Sequence, residues 1–430
     1  MTAARESLRQ LSDALVAAQR PIRLLRALNW DPRVHERFFA RGCSELPRVT
    51  YEPLGFEAKA TISELRAIRR RIRGRSEIEA LLRRKCDEFA LLVEMLSARG
   101  TPRFHALSRA IYGSPTDRYA GDHTVDNLQI ARLWASRPPA RNEAATVDSA
   151  AARAAIEALL VPHLGSGVRV KESSRLTANA AAGATSVAIR KGAVFTQRQV
   201  RALAHHEGLW HVLTSMNGYA QPVLGVLGVG LPRFTASQEG GGILAEFLTG
   251  NLTDDRFREL GERTIAVHMA EEGADYLEVF AYLAARFPER KAAQMAERVF
   301  RGGVLTGGAP FTKDAVYQRG YCAVYNFLRA AFDHGDTALV EAFLAGKMDV
   351  ADAPLVRDLI AEGIAVGPVH LPAWYRDHDM IAAQFTHSVT LDLFDHDRMR
   401  AFWSERASLA TLPPRKTTSS ATAGRRGRRT

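Results

Sequence analysis

The chain has 430 residues, of which 46% are hydrophobic, 24% charged and 8% aromatic, the balance of an ordinary folded protein. That composition excludes collagen-like, wholly disordered and disulfide-scaffold classes, each of which needs a strong bias. The net charge of +11 is concentrated at one end: Arg415, Lys416, Arg425, Arg426, Arg428 and Arg429 lie in the last twenty residues with no acid among them.

That segment, 409–430, reads as a disordered basic tail that either touches nucleic acid weakly or is simply solvated. Cys43, Cys86 and Cys322 are far apart and form no C-x-x-C pair, so neither a disulfide framework nor a cysteine zinc ribbon is expected. A reduced, cytoplasmic setting fits them. The opening MTAARESLRQLSDALV is amphipathic and charged, unlike a secretion signal. No window approaches the roughly 20 apolar residues that span a bilayer, so no membrane partner is expected.

Residues 5–18 place Leu8, Leu11, Leu15 and Val16 at helical spacing until Pro21, and 1–60 read as a helical extension. Helices over 62–72 and 78–96 follow, divided at Gly74. The first carries Arg66, Arg69, Arg70, Arg71 and Arg73, a run that reads as a solvated face. A third helix starts after Thr101-Pro102 and stops near Gly113, and an Ala-rich helix covers 148–160. Val168–Lys171 and Ser186–Arg190 alternate as short strands do, and Thr196 is a good N-cap for a central helix over 197–216. Beyond residue 250 nearly everything reads as helix, with breaks at Gly273, Pro288, Gly302 to Pro310, Gly335 and the proline-punctuated 354–372. The domain over 61–408 is thus mostly α with a small β-sheet.

The central helix contains His205-His206-Glu207-Gly208-Leu209-Trp210-His211. The H-E-x-x-H zinc motif is absent because position 210 is Trp; what remains is H-E-x-x-x-H. Five residues at about 100° each put His206 and His211 about 140° apart on a regular α-helix. They share a metal only if the helix widens locally into an i→i+5 turn. Gly208 weakens a helix by about 1 kcal/mol relative to Ala, which suggests a backbone passing close by, such as a substrate's. Downstream, Glu239 reads as the opening of a helix, where a carboxylate gains from the dipole. Glu246, seven residues on, shares its face and is placed to accept from a ligand histidine. On spacing alone, a metal site and a buried histidine pair satisfied by hydrogen bonds fit equally well.

HEGLWHVLTSMNGYAQP followed by QEGGGILAEFL resembles the QEGLA-motif family of bacterial proteins named for modulating flavohaemoglobin expression. The domain is similar to that of the microtubule-associated tyrosine carboxypeptidases. RGTPRFHALSRAIYGSP at 99–115, IRKGAVF at 189–195 and PFTKDAVYQRGY at 310–321 agree, so the resemblance covers roughly residues 20 to 405. It implies a zincin-like metallopeptidase with one zinc on His206, His211 and Glu239, Glu207 as the base, and a peptide or protein C-terminus as substrate. Tyr317 is the candidate for stabilising the oxyanion. Arg301, Lys313 and Arg319 are candidates for holding the substrate's terminal carboxylate. QEGGG in place of QEGLA is expected to weaken the Glu239 helix by about 1–2 kcal/mol and to remove an apolar anchor behind Glu239. The competing reading is a non-catalytic regulatory protein with a structural zinc, against which an intact Glu207 argues.

Overall fold

A computed structural model describes residues 3–407 apart from 140–142, 175, 177 and 231. The basic tail from 409 lies outside the described residues. The chain divides into two compact units, one through Ile381 and one from Ala382 onwards. The second continues the helix His378–Asp392 and adds His396–Ala407, with Leu393 and Phe394 exposed on it. Everything below concerns the first. Among the described residues no helix is long and apolar enough to cross a membrane.

The molecule is mostly α with small sheets. Local signals set the early helices: Ala3–Gln19 stops before Pro21, and Ala58–Arg71 is separated from Glu77–Ser97 at Gly74. That break is built by a capping box, in which Glu79 accepts from the Ser76 hydroxyl at 2.7 Å and from the Gly74 backbone N–H at 3.0 Å. Pro102–Tyr112 starts with proline in its first turn and ends at Gly113, whose φ of 75° suits glycine. In the proline-punctuated stretch, Pro354 begins a helix, Ala353–Ala361, rather than breaking one.

Among the described residues, seven short strands form three sheets. β1 (Arg118–Tyr119) and β2 (Asp122–Asp126) make a hairpin, and β3 (Val147–Asp148) pairs antiparallel with β7 (Val194–Phe195). Between them β4 (Arg169–Ser173), β5 (Ala180–Ala182) and β6 (Ser186–Arg190) form a sheet in the order β4-β6-β5. β4 runs parallel to β6, with Arg169 opposite Ser186, and β5 runs antiparallel to it, with Ala181 opposite Ala188. β5 carries no apolar alternation, so nothing in its three alanines marks it as a strand; pairing with β6 makes it one.

Val187 and Ile189 of β6, Ile156 and Leu160 of the helix Ser149–Leu164, and Leu209, Val212 and Leu213 of the central helix are buried together in one core cluster. The central helix therefore lies across the sheet with its other face free to meet the helix Thr235–Leu248, which carries Glu239. That helix packs in turn against Val316–Asp333.

Candidate metal centre

The central helix begins as expected: Thr196 caps it, and Gln199 returns the bond to complete a capping box. It then changes winding, and Ala204–Val212 is π-helix before α geometry resumes at Leu213. The i→i+5 winding removes the angular mismatch of residues five apart. His206 and His211 therefore face the same way, with ring centroids 4.9 Å apart. His205 is not in the cluster; burial pulls its imidazole down to about 4.

Glu239 comes to meet them. Its Oε2 lies 3.6 Å from His206 Nε2 and 3.8 Å from His211 Nε2. One donor atom from each of the three falls within 4.8 Å of the other two. Glu239 does not open its helix, however: the helix starts at Thr235, so the carboxylate sits one turn inside. The side chain's direction across the interface, and not the helix dipole, sets its position.

Each donor is braced from behind. His206 Nδ1 lies 2.7 Å from Glu246 Oε1, as the seven-residue spacing implies, and Glu246 is paired to Arg256 at 3.5 Å. His211 Nδ1 lies 3.3 Å from Gln238 Oε1, whose other contact is the Thr214 hydroxyl. Glu239 Oε1 accepts from Lys313 Nζ at 2.8 Å, which leaves Oε2 for the histidines. Burial alone would lower the His206 imidazole, but the hydrogen bonds to Glu239 and Glu246 raise it to about 10. Two imidazoles and three carboxylates (Glu207, Glu239, Glu246) thus lie within electrostatic reach of one another. Two histidines and one carboxylate, with Nε2 atoms turned inward, are the donor chemistry of a zinc site.

The glycines after Glu239 are filled space. A Cβ on Gly240 would strike the Gly320 backbone, and one on Gly241 would overlap the Trp210 indole. A Cβ on Gly242 would come within 2.6 Å of the His206 ring. So the helix has not lost an apolar anchor: Trp210, 1% exposed and donating its indole N–H to the Gln238 carbonyl at 2.7 Å, supplies it. Gly208 likewise faces Leu160 and not a substrate. Restoring leucine by Gly241→Leu is expected to destabilise by about 3 kcal/mol through overpacking. In denaturant melts the double variant Gly241→Leu/Trp210→Ala should lose less than the sum of its single changes.

The site opens on a cleft of about 330 Å³ lined by Glu207, His211, Glu239, Arg301, Tyr317 and Lys347, among others. The edge strand β5 forms part of its wall through Ala180, Ala181 and Ala182. β6 has a neighbour on both edges, and of the two outer strands of its sheet it is β5 that lines the cleft.

A family model for the microtubule-associated tyrosine carboxypeptidases matches residues 36–392. The chain belongs to that family. No curated protein matches it. Membership in the tyrosine carboxypeptidase family implies a carboxypeptidase-like enzyme acting on a polypeptide C-terminus.

Of the cations read from the sequence as carboxylate anchors for such a carboxypeptidase, only Arg301 remains uncommitted in the cleft. It is 5% exposed, its Nε has no partner among the described residues, and its one hydrogen bond is a long 3.5 Å contact to Asn29. Lys313 is held by Glu239; burial works against its charge, and that carboxylate raises it overall. Arg319 lies elsewhere, bonded to Asp117 and to the Tyr112 carbonyl. Tyr317 does line the cleft, where its hydroxyl accepts from Arg298 at 3.2 Å and Lys313 at 3.4 Å. Burial and Glu239 push its phenol up, but Lys313, Arg298 and Arg263 outweigh them and lower it.

Sequence reasoning missed Arg298, Lys347, Arg256 and Asp314. Arg298 precedes Arg301 by three residues on one helix end, a spacing that puts both on one side. Asp314 is 1% exposed between Arg263 at 2.7 Å and Arg298 at 2.6 Å. Burial raises this carboxyl, but the two guanidiniums hold it well below the usual range. Asp314→Asn leaves both cations unpaired and should destabilise by about 3–5 kcal/mol at neutral pH. A carboxyl lowered by folding adds stability above its unfolded pKa of about 3.9 and loses it as pH falls through the folded value. The gap between wild type and Asp314→Asn in urea melts should therefore be constant above about pH 5 and narrow below about pH 4.

Proposed function

We propose that the chain is a zinc-dependent, zincin-like metallocarboxypeptidase that removes the terminal residue, tyrosine by family, from a peptide or protein C-terminus. The observation that carries this is the convergence of His206, His211 and Glu239 through a widened turn, with Glu207 facing the same open cleft. When bound there, zinc supplies Lewis-acid polarisation of the scissile carbonyl and lowers the pKa of water towards about 7.

The chain's own residues do the rest. An extended peptide adds to β5, the outer strand of its sheet, along the part that lines the cleft. Arg301 receives the α-carboxylate, and its planar fork suits a bidentate grip. Glu207 takes the proton of the attacking water and passes it to the departing nitrogen. Lys313 and Glu246 hold Glu239 and His206 in register. A purely structural zinc closes its fourth position. The open cleft and Glu207 argue against that reading and against a non-catalytic binding protein.

The test pairs elemental analysis with peptides ending in tyrosine, either free or amidated. One zinc per chain and release of tyrosine from the free acid only, abolished by chelation and restored by zinc, is the expected result. Equal cleavage of the amide would overturn the carboxypeptidase assignment, and a protein that takes up no zinc would overturn the metallopeptidase one.

A further inference from the structure

Two cleft cations have no carboxylate partner among the described residues, Arg301 and Lys347. A carboxypeptidase reaction has two anionic groups to accommodate, the substrate's terminal carboxylate and the oxyanion that forms at the scissile carbonyl. The electrostatics separate the two cations. Lys347 senses Glu207 most strongly among the carboxylates and then Glu239, the residues that flank the reacting centre. Arg301 senses Arg298, Asp314, Glu297 and Tyr317, one step removed.

We propose that Lys347 is a catalytic residue whose ammonium donates to the oxyanion of the tetrahedral intermediate, a role the sequence suggested for Tyr317. This rests on the metallocarboxypeptidase reading above. Lys347 is rigidly placed although it lies in a loop. Its backbone N–H donates to the Leu227 carbonyl at 2.6 Å, on the turn Gly225–Gly228 that packs against the central helix. Two residues on, Asp349 accepts from the Ser237 hydroxyl at 3.0 Å, which ties the loop to the Glu239 helix. The loop thus bridges both elements that supply the candidate ligands, and Lys347 is the residue of it that lines the cleft. Burial pulls the ammonium down to about 8 against the upward pull of Glu207 and Glu239, so the group is partly desolvated, where a donor is most effective. The Tyr317 hydroxyl accepts from Arg298 and Lys313 and keeps only a neutral O–H to donate, where Lys347 brings a full positive charge.

In the step, the water oxygen bonds to the carbonyl carbon and the C=O pair moves onto the carbonyl oxygen, while the water's proton goes to Glu207. The Lys347 ammonium donates a hydrogen bond to the new anion and keeps its proton. On collapse the pair returns, the C–N bond breaks, and the proton on Glu207 leaves with the nitrogen.

The experiment uses the full chain with a tyrosine-terminated peptide and a phosphonate peptide whose tetrahedral anion imitates the intermediate. Lys347→Met should keep its zinc, lower kcat by about 10²–10³ and leave KM within about threefold. Its affinity for the phosphonate should fall by a factor close to that in kcat/KM, with affinity for the product peptide unchanged. If the methionine variant does not fold, Lys347→Gln carries the same expectation. A variant with unchanged kcat and raised KM, or with undiminished phosphonate affinity, would overturn the assignment and leave the metallocarboxypeptidase reading intact. A wild type that releases no terminal residue overturns both.

Discussion

Glu207→Gln is expected to retain one zinc per chain, melt within a degree or two of wild type, and lose about 10²–10⁴ in kcat. Glu207 follows a candidate ligand directly in sequence, yet it is not among the three donors that converge. The π winding turns His206 and His211 inward and leaves Glu207 half-buried at the cleft wall. Glutamine matches its shape and keeps its hydrogen-bonding reach, so packing and metal binding are conserved, but an amide accepts no proton from water. Zinc content, thermal melting and kcat on a tyrosine-terminated peptide check this together. Loss of zinc along with activity would make Glu207 a ligand, and undiminished kcat would remove it from the chemistry.

Glu239→Gln should fail in a different way, losing the metal, the activity and part of the stability at once. The carboxylate serves two partners with its two oxygens, Lys313 on Oε1 and the histidine pair on Oε2. An amide presents one oxygen and one NH₂, so either the metal side or the lysine side faces a donor in place of an acceptor. Removing one member of a well-buried pair typically costs about 3–5 kcal/mol, and the 16% exposure of this carboxylate puts the expected loss at the lower end. The informative comparison is with wild type stripped by a chelator, which lacks zinc but keeps the Lys313–Glu239 pair. The variant should melt below that stripped protein. Equal melting would mean that Lys313 contributes nothing through Glu239, and normal zinc content would remove Glu239 from the ligand set.

Much of this protein is readable along the chain. Capping boxes at Ser76 and Thr196, the proline start at Pro102 and the glycine stop at Gly113 each satisfy backbone groups within a few residues. The partnership of His206 with Glu246 was legible for a related reason, because Glu246 and Glu239, seven apart, share a helix face whatever surrounds them. The five-residue histidine spacing was ambiguous by itself: it required a widened turn, and nothing local states whether the turn widens.

What the sequence could not state belongs to groups that meet only through packing. QEGGG read as a weakened helix because the helix was considered alone; the Trp210 indole, the His206 ring and the Gly320 backbone fill the space that side chains would take. Arg319 looked as available as Arg301, and only its contact with Asp117 and Tyr112 removes it from the site. β5 is a strand by virtue of β6 beside it. Lys347 and Asp314 have no local feature that marks them.

The sequence by itself determined where the self-capped helices start and stop, which residues could ligate a metal, and the family that contains them, because these follow from hydrogen bonds and periodicities spanning a few residues. Only the tertiary structure decided which charges remain unpaired in the cleft, since a buried charge is fixed by partners brought from distant parts of the chain.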